Sequence, residues 1–139
     1  AERVVLAAGA WSLRVEGNAL PAGSVRPVRG QIALLDTRPP LLSRVVFSGH
    51  GYVVPRADGR VLCGSTMEEA GFEKAVTAGG LRHVLDVAIG IAPALARAPV
   101  VETWSNFRPA SPLSATRITR AWRLGWCRGS PPRLLRRDP

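Results

Sequence analysis

A chain of 139 residues with 46% hydrophobic and 21% charged residues has room for one modest core and reads as globular rather than disordered or fibrous. It contains neither an apolar run of the ~18 residues that a membrane-spanning helix needs nor a basic segment leading into the apolar core of a secretory signal. The net charge of +9 is uneven: residues 1–112 carry +3 (12 Lys and Arg, 9 Asp and Glu) and residues 113–139 carry +6 (7 Arg, 1 Asp), so only the tail suggests an acidic partner.

Arg3 to Ala8 is a near-continuous apolar run, the pattern of a strand buried on both faces. Such a strand needs neighbours, so its position at the start predicts a truncation. Gly9-Ala10-Trp11-Ser12 follows as a turn in which Ser12 is a candidate cap for a short helix. Val25 to Asp36 predicts a strand interrupted at Pro27 and Gly30. Next come two strands, Gly51 to Pro55 and Arg60 to Gly64, joined through Asp58-Gly59, a strong hairpin signal. Ser65 to Glu69 leaves the second strand as a polar loop. From about Gly80 to Ile91 the residues Leu81, Val84, Leu85, Ala88 and Ile89 recur at helical spacing on one apolar face, and Pro93 ends the helix. Val100 to Trp104 is another short strand. Several hairpin-type strands, one main helix and no βαβ alternation after the first strand predict an α+β fold with a mixed, largely antiparallel sheet. After Pro112 no periodicity survives, and Trp122, Trp126 and the arginines stand in an irregular basic stretch.

The sequence contains no G-x-G-x-x-G, no P-loop, no H-E-x-x-H and no G-x-S-x-G. Cys63 and Cys127 have no zinc-like spacing; Cys63 reads as a small core residue in a strand, and a reducing cytoplasm is the expected compartment. His83 lies off the apolar helix face and reads as a solvated surface residue, as do the adjacent carboxylates Glu68 and Glu69. Two residues invite more. Arg108 follows an apolar strand and precedes a proline that fixes the chain; its planar fork suits a ligand carboxylate, with a structural ion pair as the alternative. Tyr52 is the only tyrosine, on an otherwise apolar strand; it is either a hydrogen-bonding site residue or an amphipathic core aromatic.

Taken in order, VVLAAGAWS at 4–12, PVRGQIALL at 27–35, GHGYVVPRADGRVLCGSTMEEAGF at 49–72, the helix after Thr77 and ETWSNFRPASP at 102–112 resemble the glycine oxidase and D-amino-acid oxidase family of FAD-dependent oxidoreductases. The Gly-Ser-Thr-Met-Glu-Glu-x-Gly-Phe run favours the glycine oxidase branch linked to thiamine synthesis. The resemblance implies FAD on a doubly wound domain, with substrate held on a large sheet above the flavin. It implies that Arg108 clamps the substrate carboxylate, Tyr52 hydrogen-bonds it, and Met67 and His50 line the pocket. It further implies that Ala8, Gly9 and Trp11 pass near the flavin, with Arg29, Gly30 and Gln31 close to the isoalloxazine. The implied chemistry is oxidative deamination of glycine or a related small amino acid or amine by hydride transfer to flavin, giving an imine and hydrogen peroxide. No acid–base side chain is required, so no catalytic residue is assigned.

Residues 1–24 are then a remnant of the FAD-binding domain, 25–112 the substrate domain and 113–139 a basic tail. The chain departs from the family in having Asn106-Phe107 before Arg108-Pro109, which alters packing behind the guanidinium. The G-x-G-x-x-G segment and the flavin-closing segment are absent, so the isolated chain is expected to be inactive. Codons permitted for Gly129 to Asp138, re-read one base later, can encode Ala-His-Arg-His-Gly-Tyr-Tyr-Ala-Ala-Ile, which resembles that closing segment; the tail is therefore expected to be out of frame. The alternatives are a small basic protein that binds nucleic acid through the Arg/Trp tail and a non-functional gene remnant. Membrane association is not expected, and the oligomeric state stays open.

Overall fold

The computed structural model describes residues 4–112. These fall into two compact units, one of residues 27–108 and one of residues 4–26 with 109–112.

The larger unit is built on strands β1 (Arg26–Asp36), β2 (Val46–Ser48), β3 (Gly51–Pro55), β4 (Arg60–Gly64) and β5 (Val100–Ala110), with one helix, α1 (Ala78–Ile91). The strands form a single sheet in the order β2-β3-β4-β1-β5. The β2–β3, β3–β4 and β4–β1 pairs are antiparallel, which gives the α+β architecture expected from the sequence. Alternation along the strands sends Ala33, Leu35, Val53, Val61 and Cys63 to one face, where they meet Val84, Ala88 and Leu95 in the core. The register sets Ala33 and Val53 opposite Cys63, and Leu35 opposite Val61. Each fully buried valine or leucine of this cluster contributes about 1.5–3 kcal/mol.

Local chemistry explains the element ends. At the β3–β4 turn Gly59 takes φ +82°, and its amide donates to Arg56 O at 3.0 Å. α1 begins at Ala78, two residues before the expected Gly80, because the Thr77 hydroxyl accepts the Gly80 amide at 3.1 Å. Beyond it, Pro93 opens a 3-10 turn (Pro93–Arg97) that buries Leu95.

Several expectations need correction. β1 is continuous through Pro27 and Gly30: Pro27 stands at the strand's start, and Gly30 leaves room for a neighbouring side chain. β5 runs to Ala110 rather than Trp104, so Arg108 lies within a strand. β2 was not anticipated; its three residues are too few to show alternation. In the smaller unit the apolar run before Gly9 carries no strand. Val4, Val5 and Leu6 are 59%, 87% and 38% exposed, since none of the described strands shares ladder hydrogen bonds with them. Gly9–Arg14 forms a 3-10 helix in which the Ser12 hydroxyl donates back to Gly9 O at 2.8 Å instead of capping a following helix.

No helix among the described residues is long and apolar enough to cross a membrane. The basic tail, with Cys127, Trp122, Trp126 and the re-readable segment, lies outside the described residues.

Candidate functional site

Within the larger unit, a cleft of about 580 Å³ brings together Arg108, Tyr52, His50 and Met67. Four elements supply them. His50 stands on the β2–β3 turn, Tyr52 on β3, Met67 on the segment after β4 and Arg108 on β5. Further lining groups include Phe47, Ser48 and Ser65, which were not singled out in the sequence, and His83 on α1, which was read as a solvated surface residue. His83 is exposed, as expected, yet it flanks the cleft; only the docking of α1 beside the β2–β3 turn makes that visible.

Arg108 is half-buried and held through backbone and hydroxyl groups. Its Nη1 donates to Thr66 O at 3.2 Å, and its Nη2 donates to Ser65 Oγ. Among the described residues no carboxylate pairs with it, which disfavours the structural ion pair and leaves its charge unneutralised. Gly30 on β1 makes the space: a Cβ there would lie 2.4 Å from Arg108 Nη1. Behind the arginine, the Phe107 ring meets Phe72 edge-on at 5.5 Å, so the departure at Asn106-Phe107 is absorbed as an aromatic pair.

Tyr52 pairs across the sheet with Gly64, where a Cβ would stand 3.0 Å from the phenol Cζ and oxygen. Its ring tilts against Phe47 at 5.7 Å, and its hydroxyl has no hydrogen-bond partner among the described residues. Met67 is 80% exposed.

The Ser65–Glu69 segment is not the solvated loop expected. Arg29 and Glu68 exchange backbone hydrogen bonds at 2.9 and 3.0 Å, and the Glu68 carboxylate accepts from Arg29 Nε at 2.8 Å and Gln31 Nε2 at 2.7 Å. Gln31 also donates to the Thr77 hydroxyl at 3.1 Å and accepts the Thr77 amide at 2.8 Å, tying the start of α1 to β1. Burial acts to raise the Glu68 pKa; hydrogen bonds from Thr66, Arg29 and Gln31, with the Arg29 charge, outweigh it and lower it below 4.5. This network fixes the segment that presents Ser65 and Met67 to the cleft and holds the Thr66 carbonyl against Arg108. Arg29 and Gln31 are thus buried and spent on interior partners, and Gly30 is backed by Arg108. Of the expected flavin neighbours in the smaller unit, Gly9 has φ +54° with open space where a Cβ would stand, and Trp11 is 40% exposed.

A smaller cleft of about 240 Å³ is lined by Asp36, Arg38, Asp58 and Arg60, whose charges cancel in two ion pairs. Its Asp36 is held down to about 2 by the Arg38 side chain.

Residues 1–129 match the family model described as FAD dependent oxidoreductase, a match that continues past Pro112. The chain belongs to the FAD-dependent oxidoreductase family. It is 43% identical over 115 residues to the glycine oxidase of Pseudomonas putida, covering 81% of this chain and 31% of that protein. The crystal structure of glycine oxidase from Geobacillus kaustophilus superposes with a TM-score of 0.70 at 34% identity, covering 76% of this chain and 29% of that one. The crystal structure of iminodiacetate oxidase from Chelativorans sp. BNC1 gives a TM-score of 0.72 at 35% identity, covering 81% and 32%. The chain therefore spans about a third of the length of the relatives it matches.

Proposed function

We propose that this chain supplies the carboxylate-binding half of an FAD-dependent oxidase acting on glycine or a related small amino acid or amine. The observation that carries the reading is the Arg108 guanidinium, held by Thr66 and Ser65, beside the Tyr52 hydroxyl; among the described residues the first pairs with no carboxylate and the second has no hydrogen-bond partner. Arg108 takes the substrate carboxylate with its positive charge, and Tyr52 donates a second hydrogen bond to the same group. Two points of attachment fix the direction of the α-carbon, which is the protein's contribution to the rate. His50 and Met67 bound the space in which the amino group sits. FAD, when bound, would supply the hydride acceptor for the α-carbon. Ala8, Gly9 and Trp11 are proposed to lie along it, through the open backbone at Gly9. Arg29, Gly30 and Gln31 act behind the site, by anchoring the Ser65–Glu69 segment and giving Arg108 its space.

The test is binding by the chain itself. Glycine and acetate, titrated against the purified protein, are expected to shift the amide resonances of Ser65–Met67 and the Tyr52 ring, and Arg108→Met is expected to abolish both shifts. Binding that survives Arg108→Met refutes the reading. Added FAD separates the two halves of the assignment, because carboxylate binding needs residues 27–108 alone.

A further inference from the structure

Tyr52 is the middle member of a row that crosses three strands. Phe47 on β2 pairs with Tyr52 on β3, and Tyr52 pairs with Gly64 on β4. Direct cross-strand partners share a face, so all three positions lie on the side of the sheet away from Val53, Cys63 and the core. Gly64 adds no side chain to the row: a Cβ there would stand 3.0 Å from the phenol Cζ and oxygen and 3.2 Å from Cε2. The phenol therefore leans over β4, at the residue before Ser65, whose hydroxyl accepts Arg108 Nη2. Two glycines thus seat the two side chains assigned to the carboxylate, Gly30 under Arg108 and Gly64 under Tyr52.

Room for a side chain does not by itself hold it there. Arg108 is held by hydrogen bonds to Thr66 and Ser65, whereas the Tyr52 hydroxyl has no partner among the described residues, so packing fixes the ring. On the flank opposite Gly64 that packing is Phe47, whose ring meets Tyr52 at 5.7 Å, tilted by 51°. Phe47 is itself 75% exposed; it contributes little to the core, and an exposed aromatic on an edge strand is a liability for the fold. Its strand is nonetheless pinned. The Ser48 hydroxyl donates to Gly51 O at 3.3 Å and accepts the His50 amide at 3.3 Å, closing the β2–β3 turn. Val87 of α1 backs the same turn, with its Cγ1 3.1 Å from where a Gly51 Cβ would lie.

Building on the carboxylate reading above, we infer that Phe47 is a positioning residue for carboxylate binding: its ring closes the open flank of Tyr52 and keeps the phenol over Gly64, with the hydroxyl turned toward the group held on Arg108. Phe47 lines the cleft but has no polar side-chain atom to offer a carboxylate, so it acts through Tyr52. Without the ring, Tyr52 gains orientations on the β2 side, and the cost of ordering it falls on ligand binding.

The experiment is a double-mutant cycle of Phe47→Ala and Tyr52→Phe in the full chain, with acetate affinity measured by titration on the Ser65–Met67 amide resonances. Tyr52→Phe is expected to weaken binding roughly tenfold, the effect of one hydrogen bond to a charged group. Phe47→Ala is expected to weaken it roughly three- to tenfold, the effect of one aromatic pair. In the Tyr52→Phe background the same Phe47→Ala change should cost nothing further, because the hydroxyl that the ring positions is gone. Phe47→Trp, which keeps an aromatic ring and adds no hydroxyl, should retain most of the affinity. Phe47 is exposed, so these changes leave the core intact. Equal losses in both Tyr52 backgrounds, or an affinity that Phe47→Ala leaves unaltered, overturn the inference while the Arg108 site stands. An affinity unaltered by Tyr52→Phe, or binding that survives Arg108→Met, overturns the carboxylate reading instead.

Discussion

Gly30 and Arg108 occupy one another's space. A methyl group on Gly30 would lie 2.4, 2.7 and 2.8 Å from the Nη1, Nη2 and Cζ atoms of Arg108. The missing side chain on β1 is what lets the guanidinium lie flat over the strand and reach Thr66 O and Ser65 Oγ. A glycine that looks like a strand breaker in the sequence therefore makes room for the side chain proposed to bind the carboxylate.

Gly30→Ala should accordingly act on binding before it acts on folding, because the atoms in the way are the far end of a flexible side chain. A hydrogen bond to a charged group is worth about 1.5–3 kcal/mol, so glycine and acetate affinity should fall roughly ten- to a hundredfold. The thermal midpoint should change little beside that. Titration and melting of the same variant decide it; unchanged affinity would mean that Arg108 does not bind the carboxylate from this pose.

Glu68 offers a second handle on the site, through pH. Its folded pKa is lowered below the ordinary 4.5, net of a burial effect that acts in the opposite direction. A carboxylate depressed in the folded state contributes stability above its unfolded pKa and loses it as pH falls through the folded value. Stability should therefore decline as pH drops below about 4.5. In Glu68→Gln that part of the decline should be missing, and stability at neutral pH should be lower by roughly 1–3 kcal/mol, since Arg29 loses its nearer charged partner and keeps only the exposed Glu73 at 3.8 Å. Denaturant melts of both proteins between pH 3 and 7 provide the comparison. Parallel pH profiles would show that Glu68 is not the titrating group.

How much of this was legible in the sequence depended on the range of the interaction. The β3–β4 hairpin was read to the residue because Asp58-Gly59 encodes its own turn and Gly59 takes the positive φ that the turn requires. The apolar face of α1 was equally local. Arg108 stood out because it follows an apolar strand and precedes a proline, and Tyr52 because it is a polar side chain on an otherwise apolar strand. Glu68 was misread because its partners, Arg29 and Gln31, are 39 and 37 positions away, and adjacent carboxylates look solvated when seen alone. His83 was set aside because helical periodicity tells the core side from the rest but not which flank borders a cleft. The apolar run at 4–8 suggested a strand by composition, yet a strand exists only where a neighbour takes its hydrogen bonds.

The hairpin makes a prediction of its own. At Gly59 a side chain would suffer twice, from φ +82° and from Arg38 Cγ, which stands 2.7 Å from the Cβ position. Gly59→Val should destabilise the fold by roughly 1–3 kcal/mol, as strained left-handed positions do, and Gly59→Asn, which tolerates that region, by less. Urea midpoints of the two variants test the order. Equal losses would point to the clash with Arg38 rather than the backbone as the cause.

Cys63 tests the core directly. It is fully buried at the centre of the sheet, opposite both Ala33 and Val53, and burial pushes its thiol up to about 11. Thiolate is the reactive form, so both its scarcity and its enclosure protect the folded chain. Iodoacetamide at pH 8 should leave the Cys63 peptide unmodified in buffer and modify it fully in denaturant, with mass spectrometry resolving it from the Cys127 peptide. The rate at intermediate denaturant should follow the fraction unfolded, because opening of this core is the only route to the sulfur. Rapid labelling of Cys63 in buffer would mean that the sheet and α1 do not close over it in the isolated chain, and the carboxylate cleft, whose walls are the same strands, would open with them.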